Sequence, residues 1–269
     1  MTTLITGARS GIGAALARAC AARGDRLFLC GRDVARLEAV AEECRGLGAE
    51  VEATAVDVAD ALAVKSWMRE CDGRSPLDLV FANAGVSTGE ETEVNVRRTF
   101  DINIGGSVNT VLTALALFRS RTAGACARVN CKPHIVITAS IAGYGPLKAC
   151  PAYSASKSCL KTWGLSLRGH VASEGIRVSV VCPGFVRSRI TDRNTCPMPF
   201  FMEADRAAKV LLERVDRNVG LIAFPWPMRF GVWLMSALPW RVSEFISGIL
   251  PEKTSTGRCK GRESEKIAF

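Results

Sequence analysis

Thr6-Gly7-Ala8-Arg9-Ser10-Gly11-Ile12-Gly13 follows the short run Thr2-Thr3-Leu4-Ile5 and leads into Ala14-Ala15-Leu16-Ala17. An apolar run, a glycine turn and a small-residue amphipathic start predict a strand, a tight turn and a helix whose amino terminus faces that turn. Glycines let backbone N–H groups approach an anion, and the helix end adds unpaired donors and the positive pole of its dipole. The stretch reads as a pyrophosphate cradle contacted through Gly7, Arg9, Ser10, Gly11, Ile12 and Gly13.

Outward from this turn the same alternation repeats. Strands are predicted near 2–6, 26–30, 50–56, 77–82, 133–139, 176–182 and 219–224, and helices near 11–23, 33–47, 60–71, 92–119 and 151–173, with a less regular helical insertion near 188–215. Such βα repeats build a parallel sheet with its ligand crevice at the strand carboxyl ends. The expectation is an α/β, Rossmann-type doubly wound, seven-stranded parallel sheet with helices on both faces, in a single domain. Residues 1–224 are expected to form the dinucleotide-binding and catalytic part, 225–250 an apolar lid or interface segment, and 251–269 a polar tail that frays.

With 269 residues, 48% of them hydrophobic and 23% charged, the chain can bury a full core. A net charge of +9 favours anionic partners. The absence of an aromatic-interleaved basic patch or finger spacing argues against nucleic acid. The 11 cysteines form no CxxC pair and read as small buried hydrophobes in a reducing compartment. The only histidines, His134 and His170, lack ligand-spaced neighbours, so no metal site is expected. The glycine turn begins almost at Met1, with no cleavable leader before it, which points to a cytoplasmic protein.

Tyr153 and Lys157, in Tyr153-Ser154-Ala155-Ser156-Lys157, stand four apart and share one helix face. A phenol titrates near about 10, and a neighbouring ammonium favours the phenolate, bringing it toward working pH. That suits carbonyl reduction, where the nascent alkoxide takes a proton as hydride arrives.

The TGxxxGIG spacing of the turn resembles the short-chain dehydrogenase/reductase superfamily. The resemblance extends over Thr2 to Phe224: Asp57-Val58 resembles the adenine contact, Asn83-Ala84-Gly85 the turn that braces the sheet and faces the cofactor, and Pro183-Gly184 the nicotinamide loop with Val186 and Ser188. Threonine is commoner than Ser188 in that family, and serine offers the same hydroxyl. Ser140, thirteen residues before Tyr153, and Asn103 complete what resembles a catalytic tetrad of Asn103, Ser140, Tyr153 and Lys157. In these implied roles Ser140 orients the carbonyl, Tyr153 delivers the proton, Lys157 tunes Tyr153 and binds ribose, and Asn103 holds a relay water. The resemblance implies an NAD(P)-dependent oxidoreductase of CH–OH and C=O groups.

Gly31 stands where NAD enzymes of this fold present an acid to the ribose, and Arg32 follows it. A guanidinium there, aided by Arg9, pairs with a 2′-phosphate, so NADP(H) is expected over NAD(H). The alternative is that Asp33 binds the ribose rather than capping the next helix. Phe200, Phe201, Met202 and the tryptophans suggest a hydrophobic carbonyl or alcohol substrate, with Tyr144 lining its pocket. By family analogy the helices near 92–119 and 151–173 pair into a homodimer or homotetramer. Arg229, Arg241, Glu244 and three prolines interrupt the apolar segment after Val219, leaving pieces well short of the roughly 20 residues that span a bilayer. Its alternatives are a lid, a subunit contact or a peripheral membrane patch. Rival readings are a membrane-surface reductase of lipids and a non-catalytic NADP-binding sensor, which would not need both Tyr153 and Lys157.

Overall fold

The computed structural model describes residues 1–122, 132–192, 198–239 and 241–242; the expected tail 251–269 and Trp240 lie outside the described residues. The strands are β1 Thr2–Thr6, β2 Arg26–Gly31, β3 Val51–Ala55, β4 Leu79–Ala82, β5 His134–Thr138, β6 Arg177–Pro183 and β7 Leu221–Phe224. They form one seven-stranded sheet in the order β3-β2-β1-β4-β5-β6-β7, every neighbouring pair parallel. The helices are α1 Gly11–Ala22, α2 Val34–Gly46, α3 Ala61–Arg74, α4 Glu93–Phe100, α5 Gly106–Thr122, α6 Pro151–His170, α7 Arg189–Asp192, α8 Ala204–Asp216 and α9 Trp226–Ala237.

Alternate strand residues enter two apolar layers. Leu4, Phe28, Val80, Ile135 and Val178 pack with Trp67 and Met68 of α3, Phe118 of α5 and Leu160 of α6. Ile5, Leu29, Phe81, Val136 and Ile222 pack on the opposite face with Leu16 of α1, Leu37 of α2 and Leu211 of α8. The inner strands are buried on both sides, as a parallel sheet requires, while the edge strand β3 buries Val51 and exposes Thr54 and Ala55. Aspartates set helix starts: Asp60 accepts from Leu62 N and Ala63 N at 2.9 and 3.0 Å, and Asp33 accepts from Arg36 N at 3.3 Å.

The predicted helix over 92–119 is not regular. Between α4 and α5, Asp101–Gly105 form a π-helical turn, and this wider turn buries Asn103 completely. The rod Glu93–Arg121 has the length and apolarity of a bilayer span, but Val111, Ala114 and Phe118 of its α5 half are core residues against the sheet. The insertion expected near 188–215 resolves into the four-residue α7 and the separate α8. The helix predicted to 173 ends at His170 and is followed by a 3-10 turn, Ala172–Glu174, which Gly175 closes at φ 74°. The apolar segment after β7 begins with α9.

Candidate active site

β1 and β4 are neighbours whose crossovers run to opposite edges, which leaves a crevice between their carboxyl ends. The two turns that flank it touch backbone to backbone. Gly7, at φ 70°, lies so close to Ala84 that a Cβ there would sit 2.7 Å from the Ala84 Cα. A Cβ on Gly13 would collide with the Gly7 carbonyl oxygen and come within 2.7 Å of Asn83 Nδ2. Ser10, the extended N-cap residue of α1, makes no side-chain capping bond, so the first-turn N–H groups of α1 face the crevice.

Thr6 and Asn83 lock this geometry. Thr6 Oγ1 donates to Phe81 O at 3.1 Å and accepts from Asn83 N and Ala84 N at 3.0 and 3.2 Å. Asn83 Nδ2 donates to Thr6 O at 3.1 Å, and its Oδ1 accepts from Thr138 Oγ1 at 3.3 Å, which ties β1, β4 and β5 together.

The crevice opens into a cleft of about 1010 Å³. Every residue expected to bind cofactor lines it, and so do Ser140, Tyr153 and Lys157; Asn103 does not. Asn103 lies behind the wall, accepting from Val86 N at 2.7 Å and donating to Val86 O and Ser156 Oγ at 3.0 Å each. Its side chain therefore fixes the strand β4 exit to α6 rather than facing the cavity.

Ser140 caps a 3-10 turn, Ile141–Tyr144, that lies directly on α6: a Cβ on Gly143 would be 2.6 Å from the Lys157 carbonyl. The serines interleaved with the tyrosine and lysine hold the turn there. Ser154 Oγ donates to Ala142 O and Gly145 O at 3.0 and 2.8 Å, and Ser158 Oγ donates to Gly143 O at 2.9 Å. Glu91, from the loop after β4, accepts the Ala152 N–H at the start of α6 at 3.1 and 3.3 Å. Sequence reasoning passed over these residues. Only the spacing of Ser154 and Ser158, one helical turn apart, signalled a second contact face.

The electrostatics correct one expectation. Lys157 Nζ donates to Thr138 O at 2.8 Å and stands 5.8 Å from the Tyr153 ring centroid. Burial pushes the Tyr153 phenol up to about 12, against the opposing pull of the Ser140 hydroxyl. Burial also brings Lys157 down to about 8. Desolvation is the largest influence on both groups and disfavours both charged forms. Burial thus favours the protonated phenol of Tyr153 over the phenolate.

Two further expectations fail. Phe200, Phe201, Trp226 and Trp233 are exposed and lie outside the cleft lining, while Met202 pairs with Val186 in an isolated bridge. The apolar wall is formed instead by Ile141, Leu147, Phe185, Met228 and Val232. Tyr144 also lies outside the lining: its ring packs on the core beneath Lys161 Nζ, 4.0 Å from the centroid, with its hydroxyl buried.

At the far end of the cleft, Arg32 Nη1 is 3.6 Å from Asp57 Oδ2 and Arg9 Nη1 is 3.9 Å from Asp33 Oδ2. Arg9 lies over Gly31, where a Cβ would meet its Cβ at 3.4 Å. Asp33 is engaged by the α2 cap and by Arg36 Nε at 3.3 Å. The glycine cradle and the α1 amino terminus fit the pyrophosphate of a dinucleotide.

The family model for short chain dehydrogenase matches residues 1–197. An uncharacterized oxidoreductase of Myxococcus xanthus is 36% identical over 243 residues, covering 88% of this chain and 92% of that protein. A putative ketoacyl reductase of the granaticin polyketide synthase of Streptomyces violaceoruber is 36% identical over 194 residues, 71% of this chain and 69% of that protein. Among solved structures, a short-chain dehydrogenase from Sphingobium yanoikuyae in complex with NADPH is similar with a TM-score of 0.73 and 28% identity, covering 89% of this chain and 96% of that one. The chain belongs to the short-chain dehydrogenase/reductase superfamily and is a nicotinamide-dependent oxidoreductase of CH–OH and C=O groups.

Proposed function

We propose that the protein is an NADPH-preferring reductase of hydrophobic aldehydes or ketones, with Tyr153 as the proton donor. What carries the reading is the convergence of Ser140, Tyr153 and Lys157 on the wall of the cleft whose floor is the glycine turn. The nicotinamide, when bound, supplies the hydride.

Ser140 Oγ accepts from Ala142 N at 3.1 Å, and its own proton reaches Pro183 O only at 3.5 Å. Such a long contact is readily exchanged for a substrate oxygen. The Tyr153 hydroxyl, held protonated by burial, gives its proton to the developing alkoxide, and the Lys157 ammonium on the same helix face favours the phenolate left behind. Because burial brings Lys157 down to about 8, reduction should be strongest near neutrality and fall as pH rises through that value.

Preference for NADPH rests on Gly31, which presents no acid, and on the guanidinium groups of Arg9 and Arg32 beside it. The hydrophobic substrate class rests on the wall of Ile141, Leu147, Phe185, Met228 and Val232.

A carbonyl panel followed by nicotinamide absorbance tests all three parts. Tyr153→Phe should lower kcat by about 10²- to 10⁴-fold with cofactor binding intact. Arg32→Ala should shift the NADPH-to-NADH ratio of kcat/KM by about ten- to a hundredfold. Full turnover in the first variant, or an unchanged ratio in the second, would overturn the respective assignment. A preference for small polar ketones would overturn the substrate class.

A further inference from the structure

The helix α9 presents two faces of different use. Met228 and Val232 point inward as part of the cleft wall, and a Cβ on Gly184 would stand 3.1 Å from Met228 Sδ, so this helix packs directly on the loop after β6. The outward stripe consists of Trp226, Phe230, Trp233 and Leu234, which are 76%, 56%, 54% and 46% exposed. These positions recur at helical spacing on one side, and the Phe230 and Trp233 rings lie 5.9 Å apart. A contiguous aromatic patch of this kind marks an interaction surface.

Charge decides what covers it. From Pro225 to Leu250 the sequence holds Arg229, Arg241 and Glu244 as its charges, a net positive balance, and Arg229 and Arg241 are exposed. A two-fold contact with a second copy would bring these arginines together with Glu244 as the segment's one acid to offset them. Indole and phenyl rings flanked by guanidinium groups suit the boundary of a bilayer instead, where rings enter the acyl boundary and arginines meet lipid phosphates.

We propose that α9 is an interfacial helix that seats the protein on an anionic membrane surface, with the mouth of the cleft beside the lipid. The docking depends on the outer face alone and is independent of the role given to Tyr153.

The test is co-sedimentation of the full chain with phosphatidylcholine vesicles containing or lacking phosphatidylglycerol, alongside carbonyl-reductase activity in solution. Binding should be at least about tenfold stronger to the anionic vesicles and should weaken with salt. Replacing Trp226, Phe230 and Trp233 together by serine should abolish it. Arg229→Gln with Arg241→Gln should remove the preference for anionic lipid. Because these side chains are exposed, far-UV circular dichroism should be unchanged in every variant. An inactive wild type that still binds vesicles would overturn the proposed reaction and leave the docking standing. A wild type that stays in the supernatant with both vesicles would overturn the docking. Vesicle binding that survives the triple serine change would do the same. So would a triple variant that converts a dimer into a monomer in sedimentation velocity without any vesicle binding by the wild type, since the patch would then serve a second copy.

Discussion

The two ends of the sheet use the same kinds of residue in opposite ways. At the amino ends of the strands, polar groups terminate on other protein groups. Thr2 N donates to Asp78 Oδ2 at 2.8 Å, Thr3 Oγ1 to Asp25 Oδ2 at 2.7 Å, and Ser179 Oγ to Val219 O at 2.7 Å, while His134 Nε2 lies 2.9 Å from Ser179 Oγ. At the carboxyl ends a hydroxyl, a phenol, an ammonium and the first turn of α1 face a cleft of about 1010 Å³. Burial of polar groups is tolerated at the amino end because they pair there. At the carboxyl end desolvation has shifted Tyr153 and Lys157 away from their ordinary titration, a cost that chemistry there can use.

The comparison is broken most severely at Lys157. Lys157→Met should lower kcat by about 10²- to 10⁴-fold, as expected for a group that supports proton transfer. The same change removes a buried ammonium whose charged form the fold disfavours, so the thermal midpoint should stay level or rise. A variant that turns over normally and melts lower would show that Lys157 belongs with the structural polar groups of the opposite end.

The amino end predicts an effect on stability rather than turnover. Burial, with Arg177 and Arg168 nearby, holds His134 down to about 4. Its ordinary value is near 6.5, so between those values the unfolded chain binds more protons than the folded one. Stability therefore rises with pH across that window and is lost on acidification, by up to about 1.4 kcal/mol per pH unit from this group. Urea unfolding from pH 7 to 4 should show a shallower slope for His134→Gln than for the unchanged chain. Identical slopes would mean that His134 binds its proton equally in the folded and the unfolded chain.

Much of this division could be read before any coordinates. The central strands carry runs of Val, Ile, Leu or Phe, and each observed strand boundary falls within two residues of its expected place, because burial on both faces of the inner strands leaves a continuous apolar signal. The glycine turn was legible because only glycine tolerates the approach of Gly7 to Ala84 and of Gly13 to Gly7. The π turn at Asp101–Gly105 was not, since one extra residue per turn leaves hydropathy almost unchanged over so short a span. The cleft wall was misread because Phe200 and Phe201 are as apolar as Met228 and Val232; only tertiary packing decides which pair faces inward. The pKa of Tyr153 was misread for a related reason. Spacing shows that a lysine is near, but not that Lys157 is buried beside a half-buried Tyr153 and that the ammonium is turned toward Thr138 O.

Glu91 offers the mildest and most local way to sharpen the contrast, because it is a polar group of the functional end that works in the manner of the structural one. Its carboxylate caps α6 through Ala152 N, one residue before Tyr153. Losing a capping acceptor costs about 1 kcal/mol. Glu91→Ala should therefore lower the unfolding free energy by about that much and speed hydrogen exchange in the first turn of α6, while exchange at β1 and β5 rises only as far as the loss of global stability requires. If the cap also holds the phenol in place, kcat should fall several-fold, and KM for the carbonyl should change little. A stability loss with unchanged kcat would confine Glu91 to holding the helix, and Tyr153 would then owe its position to the serine contacts of Ser154 and Ser158 alone.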